Sequence, residues 1–275
     1  MADDREVLRI LWDGRIPVCF TLNADEVVAL EEPEPFYLLL PRVSYLPVVT
    51  DKVTKHFQRA IKPDMNTSSI WFDFNGQPLK WHYPIGVLFD LYGSNKSLPW
   101  NITVHFEDFP EDEVIRCESK EVVESYFMSA VKEADSLKHK SQIINSMQKK
   151  DHKQLWLGLN NDKFEQFWSV NKRLMERSGD ELFKHIPFRI HQCDKLFMQK
   201  LAKPVNEAGE SLTLKHLMME TLPTIFSNDE DFQSTRIVIH GIEPPLETPL
   251  QWLSEHFSYP DNFLHLVLIN KEAEM

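Results

Sequence analysis

The sequence predicts an α+β fold in which two small β-sheet domains flank a helix-rich domain. The first and last thirds of the chain share one order of predicted elements: strand, strand, helix, strand, short helix, strand. Apolar residues in the middle third instead recur at spacings of three and four, which is typical of an amphipathic helix. The length of 275 residues is enough for about two domains that each bury a core.

The first third begins with two apolar segments that predict strands, IPVCFTL and FYLLL. A helix is predicted next, at roughly 44–60, followed by a hairpin within IWFDFNGQPLKWHY. Its turn is Asn75-Gly76, a pair that favours the tight turn of a two-residue β-hairpin. A short helix from Pro84 to Gly93 and a strand in NITVHF complete this domain, because Pro suits a helix start and Gly suits its exit.

The middle third predicts two helices. The apolar face of the first helix is formed by Val123, Phe127, Ala130, Ala134, Leu137, Ser141 and Ile144. The second helix is predicted from about Lys163 to Met175, with Asp162 as its cap and Glu165 three residues later.

The last third returns to short strands, predicted in PFRIHQ, LFMQKL, RIVIH and FLHLVLI. One helix is predicted at about 214–221, ended by Pro223, and another from Thr248, where Thr248-Pro-Leu-Gln251 matches a capping box. Two strands, a crossing helix and returning strands fit the β-grasp, or ubiquitin-like, fold, in which one helix covers a small mixed sheet. We therefore expect two ubiquitin-like domains.

The charge balance argues against a nucleic-acid partner. Forty-two acidic and thirty basic residues give a net charge of -12, which repels phosphates. One basic cluster is present and consists of Lys138, His139, Lys140, Lys149, Lys150, His152 and Lys153. We interpret it as a solvated helix face, the alternatives being a surface for anionic membrane or for an acidic protein. With no signal peptide and no long apolar run, a soluble, cytoplasmic protein is expected.

The cysteines indicate neither a disulfide framework nor a catalytic thiol. Cys19, Cys117 and Cys193 lie far apart, without a C-x-x-C pair. Cys117 follows the acidic run 111–113, which raises the pKa of a thiol and so disfavours the nucleophilic thiolate.

A metal site and a nucleotide site are equally poorly supported. His185, His191 and Cys193 lack the second closely spaced pair that makes zinc sites recognisable. With eight glycines and no phosphate-binding glycine loop, the sequence predicts no cofactor and no metal. A non-catalytic scaffold is the expectation, and Trp81, His82 and Tyr83 either anchor a partner or fill the core.

Longer segments of the chain resemble a known family along nearly the whole length. They are LLLPRVSYL, PLKWHYPIG, LPWNITVHF, KEADSLKHKSQ, MQKKDHKQLW and HGIEPPLETPLQWLSEHFSYPDNFLH. Together they are similar to the autophagy protein 5 family. The resemblance implies two ubiquitin-like domains around a helix-rich one, preceded by a short N-terminal helix in DDREVLRILW. The implied domain bounds are 1–13, 14–108, 109–185 and 186–275.

The resemblance also implies function. The ubiquitin-like autophagy protein 12 would be attached covalently, and autophagy protein 16 would bind as a helix. This conjugate would then act like a ligase, promoting transfer of autophagy protein 8 family modifiers from autophagy protein 3 to phosphatidylethanolamine at the preautophagosomal membrane. Acetylation is a further implied modification. Because the chain ends NKEAEM, without Gly-Gly, we expect it to receive a modifier rather than to be one.

The family's F-M-S-x-x-K-E-A-D motif implies Lys132 as the acceptor of the isopeptide bond. On a helix of ~100° per residue, Lys132 lies about 140° from Phe127 and about 160° from Ala134, away from the apolar face. The family's segments P-R-V-S and W-H-Y-P-I-G imply a set of partner-helix residues, namely Arg42, Trp81, His82, Tyr83 and Gly86.

Two other classes of protein remain open on the sequence. One is an adaptor or membrane-tethering scaffold that binds helical partners without covalent modification. The other is a stand-alone hydrolase, which the absence of a catalytic constellation disfavours most.

Overall fold

The computed structural model describes residues 2–63, 70–93, 97–176, 181–193 and 195–271, with side chains from residue 5 onward. Residues 13–126 form one compact unit, and the other described residues form a second. Residues 272–275 lie outside the described part. The expectation drawn from the terminal sequence NKEAEM therefore falls largely on residues that are not described. The four-part division of the chain stays a prediction.

The unit of residues 13–126 contains a five-stranded mixed sheet. Its strands are β1 (Arg15–Leu22), β2 (Phe36–Pro41), β3 (Trp71–Phe74), β4 (Gln77–Pro78) and β5 (Trp100–His105). They lie in the order β2-β1-β5-β3-β4, and β1 is antiparallel to β2 but parallel to β5. This mixed sheet, with helices between its second and third strands, is the arrangement predicted for the first ubiquitin-like domain.

The helix predicted at 44–60 is two short helices, α2 (Leu46–Val49) and α3 (Asp51–Phe57). The residue between them, Thr50, leaves helical geometry, and its hydroxyl donates to the carbonyl of Leu46 at 2.8 Å. Helix α4 (Ile85–Tyr92) follows the hairpin, as predicted, with Gly93 at its end.

The hairpin turn lies where the sequence predicts it. Asn75 and Gly76 both have positive φ, 53° and 80°, as a primed two-residue turn requires. The side chain of Asp73 accepts a hydrogen bond from the amide of Gly76 at 2.7 Å, which fixes the turn.

The second unit begins with α1 (Ala2–Trp12) and continues from residue 127 through the helix-rich region. The helices of that region are α5 (Lys120–His139), whose first seven residues belong to the unit 13–126, α6 (Gln142–Ser146), α7 (Lys149–Asn160) and α8 (Phe164–Met175). The apolar face predicted as far as Ile144 is not one helix, because Lys140 and Ser141 adopt left-handed φ of 54° and 64° and end α5.

Helix starts in this region differ from the prediction at two places. Asp162 is not the cap of α8, since its φ is 53° and Lys163 precedes the helix instead. Helix α7 was not predicted, although its start carries a capping contact in which the carboxylate of Asp151 accepts the amide of Gln148 at 3.0 Å.

The last third forms a three-stranded sheet of β6 (Phe188–His191), β7 (Thr235–Val238) and β8 (Leu264–Asn270), in the order β6-β8-β7. Strand β6 is parallel and β7 antiparallel to β8. Three helices accompany the sheet: α9 (Leu214–Thr221), α10 (Asp231–Ser234) and α11 (Leu250–His256). A core of buried apolar residues, among them Phe188, Leu217 and Leu264, joins these strands and helices.

Two local predictions in the last third are wrong. The predicted strand LFMQKL is only a bridge, in which Met198 pairs with Ile190. Thr248 is not the helix cap, because Pro249 precedes α11 and the Thr248 hydroxyl donates to the carbonyl of Pro245 at 2.7 Å.

Candidate functional site

Helix α5 presents Lys132 to solvent while its opposite face is buried. The side chain of Lys132 is exposed, whereas Val131 and Ala134 have no solvent exposure. Ala130 and Ala134 pack against the buried ring of Phe263, so small side chains let the helix lie close to the last third of the chain. The expected orientation of Lys132, away from the apolar face, agrees with this geometry.

The residue after Lys132 ties the helix to the second sheet. Glu133 accepts hydrogen bonds from Arg189 of β6, at 3.3 Å, and from Gln199, at 2.6 Å. The guanidinium of Arg189 also lies 3.7 Å from the buried carboxylate of Asp261 and 4.0 Å from the ring centre of Phe263. Because Arg189 is buried, this network holds the turn of α5 that carries the lysine in one place.

A second anchor lies two residues further along α5. The carboxylate of Asp135, which is buried, accepts the amide of Ile144 at 2.9 Å and thereby holds the start of α6. The carbonyls of Leu137 and Lys138 accept the amides of His185 and Lys184. The segment around Lys132 is therefore a rigid element rather than a loop.

The interpretation of the basic cluster as a solvated face is wrong for Lys138. This side chain is only 1% exposed, its ammonium group lies 3.1 Å from the sulfur of Met175, and it stands 4.8 Å from the ring centre of Phe183. Burial lowers the pKa of Lys138 to about 7, against the opposing effect of nearby carboxylates. The remaining lysines of the cluster are exposed: Lys140, Lys149, Lys150 and Lys153.

The structure brings Arg42 and Gly86 together, as two of the implied partner-helix residues. The amide of Gly86 donates to the carbonyl of Arg42 at 2.7 Å, and the Arg42 side chain donates to the carbonyl of Gly86 at 3.4 Å. Arg42 also forms an ion pair with the buried carboxylate of Asp90. Gly86 is buried in the first turn of α4.

The three aromatic residues of the implied partner site lie in an aromatic cluster. Trp81 and Tyr83 are buried, and the Trp81 indole donates to the carbonyl of Ile115 at 2.6 Å. His82 is half-buried, and its ring centre is 5.7 Å from that of Tyr126. Trp81 and Tyr83 thus fill the core of residues 13–126, and His82 is the member of the three that reaches the surface.

The thiols differ from one another. Cys19 is buried, Cys193 is exposed, and burial raises the pKa of Cys117 to about 11. The direction agrees with the prediction, but the cause is burial and not the acidic run. A thiol with this pKa carries little thiolate near neutral pH.

Within the part of the chain that the structure describes, no group of three or more His, Cys, Asp or Glu is arranged to hold a metal ion. His191 instead pairs with His265 at 2.9 Å, and the other ring nitrogen of His265 lies 2.9 Å from Asp261. Over the same residues, no helix combines the length and apolar character that a membrane span needs.

Comparisons with known proteins show which family the chain belongs to. Family profiles described as the UblA domain, alpha-helical bundle region and UblB domain of autophagy protein ATG5 match residues 11–106, 120–177 and 185–268. Autophagy protein 5 of Drosophila melanogaster is 52% identical, with 99% of this chain and 100% of that protein covered. Autophagy-related protein 5 of Caenorhabditis elegans is 35% identical, covering 97% and 98% respectively.

A solved structure agrees on the fold. The crystal structure of Kluyveromyces marxianus Atg5 superposes with a TM-score of 0.81 at 21% identity, covering 96% of this chain and all of that one. Two ubiquitin-like domains around a helix-rich domain, with the short N-terminal helix α1, are therefore confirmed. The chain belongs to the autophagy protein 5 family.

Proposed function

We propose that this chain is the non-catalytic core of a ligase-like conjugate in autophagosome formation, with Lys132 as the covalent acceptor of autophagy protein 12. Family membership supports the coarser statement that the chain is an autophagy factor rather than a catalytic enzyme. The observation that carries the finer proposal is an exposed lysine on a helix whose opposite face is buried and whose next residue, Glu133, is hydrogen-bonded to β6.

The proposed modification is an aminolysis. The Nζ of Lys132, once deprotonated, attacks the carbonyl carbon of the modifier's C-terminal glycine, held as a thioester on a conjugating enzyme. The new C–N bond forms, the C–S bond breaks, and the enzyme's cysteine leaves as a thiol. A rigid acceptor favours this step because it lowers the entropy lost on positioning the amine. The base comes from the conjugating enzyme.

The proposal includes a helical partner, autophagy protein 16, at the surface around Arg42 and the Trp81-His82-Tyr83 segment. His82 offers an aromatic edge at the surface, beside a buried Trp81 and Tyr83 that hold it in place. The contacts between Arg42 and Gly86 shape the backbone next to it. Helical partners dock on such surfaces through a few apolar anchors.

The conjugate would promote transfer of autophagy protein 8 family modifiers from autophagy protein 3 to phosphatidylethanolamine. The chain itself would be cytoplasmic and would join the preautophagosomal membrane peripherally. The alternative is an adaptor or membrane-tethering scaffold that stays unmodified. Intact mass of the protein from its own cells separates the two, since the first requires the added mass of one small protein.

The direct experiment is Lys132→Arg, with Lys140→Arg as the matched control on an exposed lysine near the end of the same helix. Arginine keeps the charge and the helix propensity but removes the primary amine. We expect Lys132→Arg to melt normally and to bind autophagy protein 16, yet to form no conjugate and to support little lipidation. Lys140→Arg should conjugate normally. Normal conjugation of Lys132→Arg together with loss of conjugation in Lys140→Arg would show that Lys132 is not the acceptor.

A further inference from the structure

Strand β2 lies at one edge of the five-stranded sheet, and β4 forms the opposite edge. It pairs with β1 on one side, and none of the strands in the described residues pairs with its other side. An exposed strand edge is a template for another strand, so proteins usually cover or shorten it. This edge is six residues long, from Phe36 to Pro41.

The pairing register shows which backbone groups face the open side. Pro17 stands opposite Leu39, and proline has no amide hydrogen to donate. That pair is therefore of the non-hydrogen-bonded kind, and the kinds alternate along an antiparallel ladder. Tyr37, opposite Cys19, is of the same kind. The N–H and C=O groups of Tyr37 and Leu39 consequently point away from β1, toward the open edge.

The same two residues also expose their side chains. Tyr37 is 64% and Leu39 is 67% exposed, whereas Leu40, the next along the strand, is 1% exposed. Side chains alternate across a strand, so Tyr37 and Leu39 share the solvent face of the sheet. A strand added here would gain main-chain hydrogen bonds and apolar contacts from the same two positions.

The segment entering the strand carries the charge that selects the partner. Glu31, Glu32 and Glu34 are all exposed and directly precede β2. A second copy of this chain fits poorly, because each chain carries a net charge of -12. A segment rich in lysine or arginine is complementary both to this entrance and to the chain as a whole.

We propose that β2 accepts, by strand addition, an extended and basic segment of a partner protein, whose alternate apolar side chains contact Tyr37 and Leu39. This proposal does not involve the proposed acceptor Lys132 and goes beyond the proposed function. The three glutamates attract the basic end of the segment, and the outward amides of β2 fix its register.

The test uses the full chain and two synthetic peptides that share an alternating valine-threonine core, one flanked by lysines and the other by glutamates. Hydrogen exchange read by mass spectrometry should slow at Tyr37 and Leu39 with the lysine-flanked peptide and not with its counterpart. Equal protection by both peptides, or protection only elsewhere in the chain, would overturn the proposal.

Leu39→Pro separates backbone pairing from apolar contact. It removes the outward amide but none of the hydrogen bonds to β1, and proline is tolerated on edge strands. We expect about tenfold weaker binding of the lysine-flanked peptide, because one partner carbonyl loses its donor. The control Leu39→Thr keeps the amide and should lose less. Unchanged binding by folded Leu39→Pro contradicts strand addition.

A charge variant tests the choice of a basic partner even if Leu39→Pro does not fold. Replacing Glu31, Glu32 and Glu34 together by Gln should weaken binding of the lysine-flanked peptide and flatten its dependence on salt. Binding that keeps its strength and salt dependence would refute the selection by charge. Analytical ultracentrifugation of the wild-type chain without peptide measures self-association. If the chain self-associates and Leu39→Pro abolishes this, a second copy of the chain, and not a basic partner segment, occupies the edge of β2.

Discussion

Lys138 stands in helix α5 with its ammonium group against a thioether and an aromatic ring rather than in water. Its environment disfavours the charged form, since burial outweighs the attraction of Asp135, Glu255 and Asp261. The consequence is that Lys138 makes the stability of the fold depend on pH.

The sign follows from the two pKa values of Lys138, about 7 when folded and about 10.5 when unfolded. Between these values the unfolded chain binds more protons, so this group makes the free energy of unfolding rise with pH. The full gain is at most ~5 kcal/mol. We expect urea unfolding of the wild type to show part of this rise between about pH 7 and pH 9.

Lys138→Met removes the titrating group and keeps an unbranched apolar chain of similar length. We expect this variant to be more stable than the wild type at pH 7 and to lose the rise in stability with pH. Lys140→Met, on an exposed lysine, serves as the control and should keep the wild-type slope. A Lys138→Met variant with the wild-type slope would show that Lys138 is not the group responsible.

For single residues, the sequence predicts the environment of some side chains and not of others. The helical angle of Lys132 to Phe127 and Ala134 predicts its exposure, because that relation lies within one helix. The burial of Lys138 depends on Met175 and Phe183, which come from distant segments, so residue type alone points to the wrong environment. Sequence reasoning likewise missed Arg189, whose partners lie on other elements.

Among the elements, α7 and α8 form a tight antiparallel pair through Gly158. A Cβ added there would lie 2.6 Å from the backbone nitrogen of Phe167, which cannot move without the whole of α8. Alanine has the higher helix propensity, by about 1 kcal/mol, but the steric conflict is larger. We expect Gly158→Ala to lower the free energy of unfolding by ~1–3 kcal/mol, measured by thermal or urea unfolding.

The matched control is Lys153→Ala, on the exposed face of the same helix, which should change stability by less than about 0.5 kcal/mol. If Gly158→Ala proved as stable as the wild type, α7 and α8 would not be as close as described.

Elements were predictable where local chemistry decides them. Asn75-Gly76 predicts the hairpin because its positive φ is a property of those two residues. The end of α5 at Lys140 and Ser141 was missed because neither residue is a usual helix breaker. The Asp135 carboxylate accepts the amide of Ile144 across this turn, a contact that sequence periodicity does not reveal. In LFMQKL, where a strand was expected, only Met198 forms a β-bridge, with Ile190. The formation of a strand depends on a pairing partner elsewhere in the chain, which the segment itself does not reveal.

At the scale of the whole molecule, the order of elements predicted the two ubiquitin-like domains, and the comparisons confirm them. The N-terminal helix was implied only by the resemblance, and its Trp12 packs 5.0 Å from the ring of Phe167. The proposed partners of the conjugate are likewise implied only by the resemblance, because charge and periodicity indicate the chemistry of a partner and not its identity.

We propose above that this chain receives a modifier through one lysine on a rigid helix. The most direct measurement is mass spectrometry of the protease-digested protein purified from its own cells, searched for a peptide branched at lysine. We expect one dominant branched peptide, with the modifier's C-terminal glycine joined to Nζ of Lys132. An unmodified Lys132 in a protein that is fully active in lipidation, or a branch at another lysine, would contradict it.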